Sequence, residues 1–467
     1  MSDKSSLNVV LVHPEMIIGG AERLMLDIAL GLQRHKHRCT FYVGYHNRNN
    51  CFAETIDGTI NVKRRGHWIP KTIFGKFHAF LSIFRMIYVS LLLCIETLFT
   101  RQKIDVIICD QVSICIPILK LLRKPIFFYC HFPDSLQSKP SNNILKKAYR
   151  YVIDHLEVWT MNMADGVAVN SCFTQSRFKE AFPAFTSSPL VLYPPVNTSS
   201  GQNFLKDRRK GKITALPENI KNAILGASSS PSASSSSSST KNEDMMDSQP
   251  PFVFLSINRF ETKKNIKLAL DAYKAGEFMA PGFHRRSILI LAGGYDPKNV
   301  DNAACLKALK KEAAQLEAEG RVLFLTSFSN EQKEELLGNA GCLLYTPTNE
   351  HFGIVPVEAM SFGLPVIAVD SGGPKESIDN GKTGYLCQSN PQEFAGWMVA
   401  LAAKDPNELL EMGERGIERA KTLFSLQQFG DKINIEIEKL AGKRSKQGES
   451  SKKDKQQNST KHSSKRE

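Results

Sequence analysis

The feature that most constrains the fold is an alternation of short, continuously apolar runs with helical stretches, set out twice along the 467 residues. The first series occupies 7–13, 39–43, 104–109, 125–130 and 166–170. The second occupies 252–257, 287–292, 322–325, 342–345 and 364–369. A run that is apolar at nearly every position, rather than at every other one, suits a strand covered on both faces. Strands that alternate with helices imply right-handed βαβ units and open parallel sheets. The expected class is therefore α/β, with two Rossmann-like, doubly wound domains facing each other across a cleft. Their expected limits are 1–197 and 251–441.

Two stretches break this grammar. Residues 198–250 carry the basic string 206–212 and a nearly all-serine tract at 227–240. Such composition cannot bury enough apolar surface to offset its ordering entropy, so a disordered insertion is expected there. The basic tail 442–467 reads the same way. It holds close to half of the formal net charge of +13. What remains is a mildly basic body, suited to a phosphorylated ligand or an anionic membrane surface rather than to nucleic acid. At 42% hydrophobic and 23% charged residues, the chain is neither wholly disordered nor a coiled coil. Its 10 cysteines form no CxxC pair, so they signal neither a zinc site nor a disulfide framework. No basic and apolar leader precedes the first strand, so a reducing, cytosolic setting is expected.

Segment 73–100 is rich in Phe, Ile and Leu. Positions 78, 82, 85 and 96 fall near one helical face, while 74, 77, 81, 84, 88, 91, 92 and 95 line the other. Its uncharged centre is shorter than the roughly 20 residues a spanning helix needs. An amphipathic helix lying in the membrane plane is expected. The alternative is a crossover helix packed on the first sheet.

The chemistry-bearing strings cluster at strand ends. Gly19 and Gly20 follow the first strand, where glycines let backbone approach a ligand and aim helix N–H groups at an anion. The spacing is not GxGxxG, so no dinucleotide fingerprint is present. Arg259 and Lys264 follow the first strand of the second series, at the carboxyl end where open α/β sheets bind ligands. A guanidinium fork beside an ammonium suits a diphosphate. The most specific string runs from Asn349 to Met360. In it a Phe352-Gly353 turn separates Glu350 from Glu358, and a helix begins near Ile354 and Val355. The turn presents consecutive amides to an anion, and both carboxylates can accept from hydroxyls. His131 lies just past a strand terminus, before Phe132-Pro133. No Asp-x-Asp and no His/Cys cluster has ligand spacing, so neither a metal nor another cofactor is expected.

Taken together, the Glu350-x7-Glu358 string, the Arg259 and Lys264 pair and the Gly19-Gly20 turn resemble retaining glycosyltransferases of the GT-B fold, family four. The strings Tyr129–Asp134, Met163–Asp165, Val169–Ser171, Leu192–Pro195 and Ser256–Glu261 are most similar to the dolichol-pathway α-1,3/1,6-mannosyltransferases of asparagine-linked glycosylation. The similarity runs from about residue 8 to residue 440, apart from the serine-rich insertion. It implies GDP-mannose as donor and a dolichyl-diphosphate-linked Man-GlcNAc2 oligosaccharide as acceptor. An α-1,3 and then an α-1,6 mannose would be added with retention, at the cytosolic face of the endoplasmic reticulum membrane. It also allows contact with other early mannosyltransferases of that pathway. It implies that Arg259 and Lys264 hold the diphosphate as leaving group, and that the amides from Phe352 to Val355 help hold the donor. Glu358 would then take the ribose, Glu350 the mannose ring, and His131 the transferred sugar. Gly20 would let the acceptor-side domain close on the diphosphate. Two other readings fit the same architecture: a non-catalytic scaffold that binds a nucleotide sugar, and a sugar-nucleotide epimerase.

Overall fold

The computed structural model describes residues 6–70, 72, 78–133, 144–199, 201, 204 and 251–442. The serine tract, the basic tail after residue 442 and residues 73–77 of the apolar segment lie outside the described residues. The chain divides into two compact units. One is formed by Met1–Pro195 with Leu426–Glu467, the other by Val196–Ser425.

The first unit is built on β1 (Asn8–Met16), β2 (Arg38–His46), β3 (Asn61–Arg64), β4 (Val106–Asp110), β5 (Ile126–Cys130), β6 (Gly166–Val169) and β7 (Leu190–Val191). They form one parallel sheet in the order β3-β2-β1-β4-β5-β6-β7. Every residue of β4 and β5 is buried, as their unbroken apolar runs require. The second unit carries β8 (Phe252–Ile257), β9 (Ser287–Gly293), β10 (Val322–Thr326), β11 (Cys342–Tyr345), β12 (Val366–Val369) and β13 (Gly384–Cys387). Its parallel order is β10-β9-β8-β11-β12-β13. Both sheets are doubly wound. Strand order reverses between β1 and β4 in one and between β8 and β11 in the other, and such reversals open a crevice at the strands' carboxyl ends.

The end of the second domain differs from its expected limit of 251–441. Residues 426–442 form a helix that belongs to the first unit. Its Phe429, Ile433, Ile437 and Leu440 follow helical spacing and enter the core around α1 (Gly20–Arg34) with Leu24, Ile28 and Leu32. Gly31 and Gly430 meet backbone to backbone, where a Cβ on Gly31 would stand 2.8 Å from the Gly430 Cα. His35 pairs with Asp431 at 2.9 Å and His37 with Asn434 at 2.7 Å. Within the expected 198–250 insertion, the described Phe204 packs against Phe362, with tilted rings whose centroids lie 5.4 Å apart. The start of that stretch is thus packed on the second unit.

Helix α2 (His78–Thr100) packs on the first sheet with the polar side of its expected pattern turned inward. Ser82 and Arg85, placed on the polar face, are buried against β1 and β2 with Leu81, Met86, Val89 and Leu93. Outward instead are Phe80, Phe84, Leu91, Ile95, Leu98 and Phe99. From Phe80 to Leu98 these are spaced four, seven, four and three residues apart, so with Phe99 beside them they form one apolar stripe. Trp68 adds its ring beside Phe84 and Tyr88, with centroids 6.4 and 5.4 Å away.

Candidate active site

In the second unit, β8 ends at Ile257 and the chain passes through Asn258, Arg259 and Phe260 to a tight turn at Thr262–Lys264. Phe260 is fully buried and anchors this loop, while Arg259 projects into solvent with its Nη1 3.1 Å from Glu261 Oε1. Asn265 adopts φ 48° and starts the helix Ile266–Met279. Thr346, just past β11, donates to the Lys264 carbonyl at 2.8 Å and so fixes the backbone that carries the ammonium. The Lys264 Nζ lies 2.5 Å from Glu350 Oε2. The Tyr345 hydroxyl donates to the same oxygen at 3.3 Å. Burial, with the Glu350 carboxylate beside it, pushes the Tyr345 phenol well above its ordinary range, so it remains a donor. Two residues 86 positions apart are thus joined at the carboxyl ends of β8 and β11, where this sheet reverses order.

The turn between the two glutamates is shaped by neighbours that sequence reasoning did not single out. Gly353 takes φ 76° before the helix Ile354–Ser361, and no side chain caps that helix start. The backbone of Glu350–Phe352 is covered by the loop after β12. The Gly373 N–H donates to the Glu350 carbonyl at 2.8 Å, and the Asn349 N–H donates to Ser371 Oγ at 2.9 Å. Phe352 itself points into the core against Phe424, so its part in ligand binding is confined to backbone. A Cβ on Gly373 would collide with the Phe352 carbonyl. Gly373→Ala is therefore expected to destabilise the unit by about 1–3 kcal/mol, the usual cost of overpacking. Thermal unfolding of the purified variant checks this, and an unchanged midpoint would show that the loop yields freely.

Glu358 is held apart from the Lys264 pair. Its Oε1 accepts from Lys333 Nζ at 2.7 Å, a partner on the helix Asn330–Asn339 that no motif announced.

Gly19, Gly20 and His131 belong to the first unit, whereas the other candidate residues lie in the second. The N terminus of α1 carries its own acid: Glu22 folds back so that its carboxylate fills the space a Gly19 side chain would occupy. Gly20 has open space around its missing Cβ. His131 is bonded through Nε2 to Asp110 Oδ2 at 2.8 Å, and Asp110 Oδ1 lies 2.6 Å from His13 Nδ1. Neither Asp110 nor His13 was singled out, because a lone residue inside an apolar strand run carries no sequence signal of its own. Next to this cluster the chain turns at Gln111 into a small, largely apolar groove. Its walls include Ile83 of α2, Val112, Ile114, and Ile153 and Leu156 of the helix Ile144–Asn162. Among the described residues, no group of three or more His, Cys, Asp or Glu is arranged to hold a metal ion.

Comparison with known proteins supports both halves. Residues 18–200 match the family described as Glycosyltransferase Family 4, and residues 241–419 match Glycosyl transferases group 1. The chain is 39% identical to the alpha-1,3/1,6-mannosyltransferase ALG2 of Dictyostelium discoideum, over 94% of this chain and 100% of that protein. It is 38% identical to the Homo sapiens protein of the same name, over 93% of this chain and 96% of that one. Among solved structures, a glycosyltransferase from Rickettsia africae superposes with TM-score 0.64 at 15% identity, covering 93% of this chain and 99% of that chain. A sucrose-phosphate synthase from Thermosynechococcus elongatus superposes with TM-score 0.65 at 16% identity, covering 93% and 99%. At those identities the likeness speaks for the GT-B fold alone.

Proposed function

The chain belongs to the α-1,3/1,6-mannosyltransferase family of GT-B glycosyltransferases, and from that membership we propose the following reaction. The protein transfers mannose from GDP-mannose, with retention, to a dolichyl-diphosphate-linked Man-GlcNAc2 acceptor. It adds an α-1,3 and then an α-1,6 mannose during assembly of the lipid-linked oligosaccharide for N-glycosylation. The observation that carries this reading is the joining of Lys264 to Glu350 at the reversal point of the second sheet.

As the glycosidic bond breaks, negative charge grows on the departing diphosphate. Lys264 and the projecting Arg259 supply fixed positive charge there, which stabilises the transition state more than the ground state. Lys264 exchanges its Glu350 partner for the diphosphate, which frees that carboxylate to accept from mannose hydroxyls. The uncapped helix start at Ile354 and Val355 adds amide donors, and Glu358, steadied by Lys333, takes the ribose. The acceptor hydroxyl attacks the face from which the diphosphate leaves and passes its proton to a leaving oxygen. His131 contacts the transferred sugar near its reactive carbon. With two side-chain cations in place, we propose that turnover needs no catalytic metal and no other cofactor.

A lipid-linked acceptor places the enzyme at a membrane, and we assign it to the cytosolic face of the endoplasmic reticulum. The outward apolar stripe of α2 and the apolar groove beside Asp110 support the membrane contact, while the compartment rests on family membership. The test uses purified protein in lipid, GDP-mannose and the lipid-diphosphate acceptor, with and without chelator, and weighs the product by mass spectrometry. A gain of two hexoses is expected in both arms. A gain of one would remove the second linkage from this chain, and loss of product with chelator would overturn the metal-free reading. No gain, with GDP-mannose binding intact, would leave a nucleotide-sugar-binding scaffold. A changed sugar nucleotide without transfer would mark an epimerase.

A further inference from the structure

The first sheet reverses order between β1 and β4, and those two strands run in register from Val9 with Val106 to Val12 with Cys109. The next residue of each, His13 and Asp110, therefore reaches the same level at the strands' carboxyl ends. One strand further, β5 delivers His131. Asp110 is completely buried, and a carboxylate at that depth is unstable unless each oxygen is matched. Each is: Oδ1 meets His13 Nδ1 at 2.6 Å and Oδ2 meets His131 Nε2 at 2.8 Å. His13 is also fully buried, with Glu22 Oε1 3.7 Å from its Nε2. Burial alone would drive the proton off His13, but Asp110 and then Glu22 outweigh it and raise the imidazole to about 10. Burial would likewise raise Asp110, yet His13 and His131 hold it below the usual carboxylate range. The result is an imidazolium between two carboxylates, with one carboxylate oxygen left over for His131.

We propose that Asp110, backed by His13, is a positioning residue for the mannosyl transfer: it fixes His131 by its Nε2–H and leaves Nδ1 as the ring atom offered to the sugar. This rests on the reading that His131 contacts the transferred sugar. The groups that face the His131 ring are Asp110 from β4, and Tyr129 from β5, whose ring centroid lies 5.1 Å away. Behind Asp110 stand His13 from β1 and Glu22 from α1.

The test is a double-mutant cycle on kcat with the full chain in lipid: Asp110→Asn, His131→Gln, and both together. Each single change is expected to lower kcat by about 10–100-fold, as loss of an orienting carboxylate does elsewhere, with KM for GDP-mannose little changed. The double variant is expected to be no slower than the slower single, because both changes remove one arrangement. Losses that multiply would overturn the proposal, since a carboxylate that serves only the fold acts independently of His131. A second readout uses the wild-type chain with histidine rings labelled with nitrogen-15. The neutral His131 ring is expected to carry its proton on Nε2, facing Asp110 Oδ2, with Nδ1 bare. A ring that carries it on Nδ1 would overturn the proposal even if Asp110→Asn did not fold. Failure of the underlying reading is distinguishable: the wild type would then make product and His131→Gln would match its kcat.

Discussion

Replacing Lys264 with alanine is expected to lower kcat by about 10²–10³-fold, while the protein stays folded and still binds GDP-mannose. The figure is that of removing one preorganised group at a site of developing charge, about 2.7–4 kcal/mol of transition-state stabilisation. The geometry argues for the upper part of that range. The Lys264 backbone is gripped by Thr346, and its ammonium is largely withdrawn from water, so it is already placed when the bond breaks. Arginine is a poor substitute, because its planar fork cannot take the place of a compact ammonium packed against Glu350. Lys264→Arg should therefore recover only part of the loss. Glu350→Gln makes a useful contrast, since it keeps a group that accepts from Tyr345 but loses the ion pair. Steady-state kinetics with saturating donor check the set. If Lys264→Ala turned over at the wild-type rate, the diphosphate would have to be stabilised elsewhere.

The second large effect concerns α2. Glutamate at Phe84, Leu91 and Leu98 together is expected to abolish co-sedimentation with liposomes that contain anionic lipid. Fully burying one such side chain contributes about 1.5–3 kcal/mol, and about 1.4 kcal/mol is a tenfold change in partition. Three lost contacts with three added charges thus exceed a hundredfold. All three residues point outward, so the fold should feel only about 0.5 kcal/mol per site. A folded triple variant that sediments like the wild type would remove α2 from the membrane contact. The helix is long and apolar enough to cross a bilayer, yet nearly half of its apolar window is buried within the first unit. Arg85 on its inner side lies 3.8 Å from Glu15 of β1. Those contacts tie the helix to the sheet and suit a surface that rests on lipid better than one that passes through it.

The case of α2 also marks what its sequence pattern could and could not convey. Helical spacing separates polar from apolar positions, but it does not say which side is turned inward. For α2 the polar side is inside, because Arg85 finds Glu15 and the Pro70 carbonyl there. Central strands were legible since burial on both faces demands an unbroken apolar run. The edge strands β3, β7 and β13 were not, for Asn61-Val62-Lys63-Arg64 and the two-residue Leu190–Val191 offer no such run. Arg259, Lys264 and Glu350 were readable from their place just past strand ends. Their restraints were not: Thr346, Lys333 and Gly373 become neighbours only through the sheet order. Asp110 closes an apolar run and looks like its polar stop until β1 brings His13 alongside.

The return of residues 426–442 to the first unit has a consequence for biosynthesis. A nascent chain emerges from the ribosome at about 5–20 residues per second, and its domains generally fold as units. Here the second unit is complete by Ser425, while the first still lacks the helix whose Phe429, Ile433 and Ile437 cover α1. The part of the protein made first is thus finished last. Until those final residues are translated, Leu24, Ile28 and Leu32 have an uncovered flank, and the growing chain presents it to chaperones and to neighbouring nascent chains. A stop codon shortly before residue 426 would strand the first unit in that unfinished state, even though the donor-side residues would already be in place.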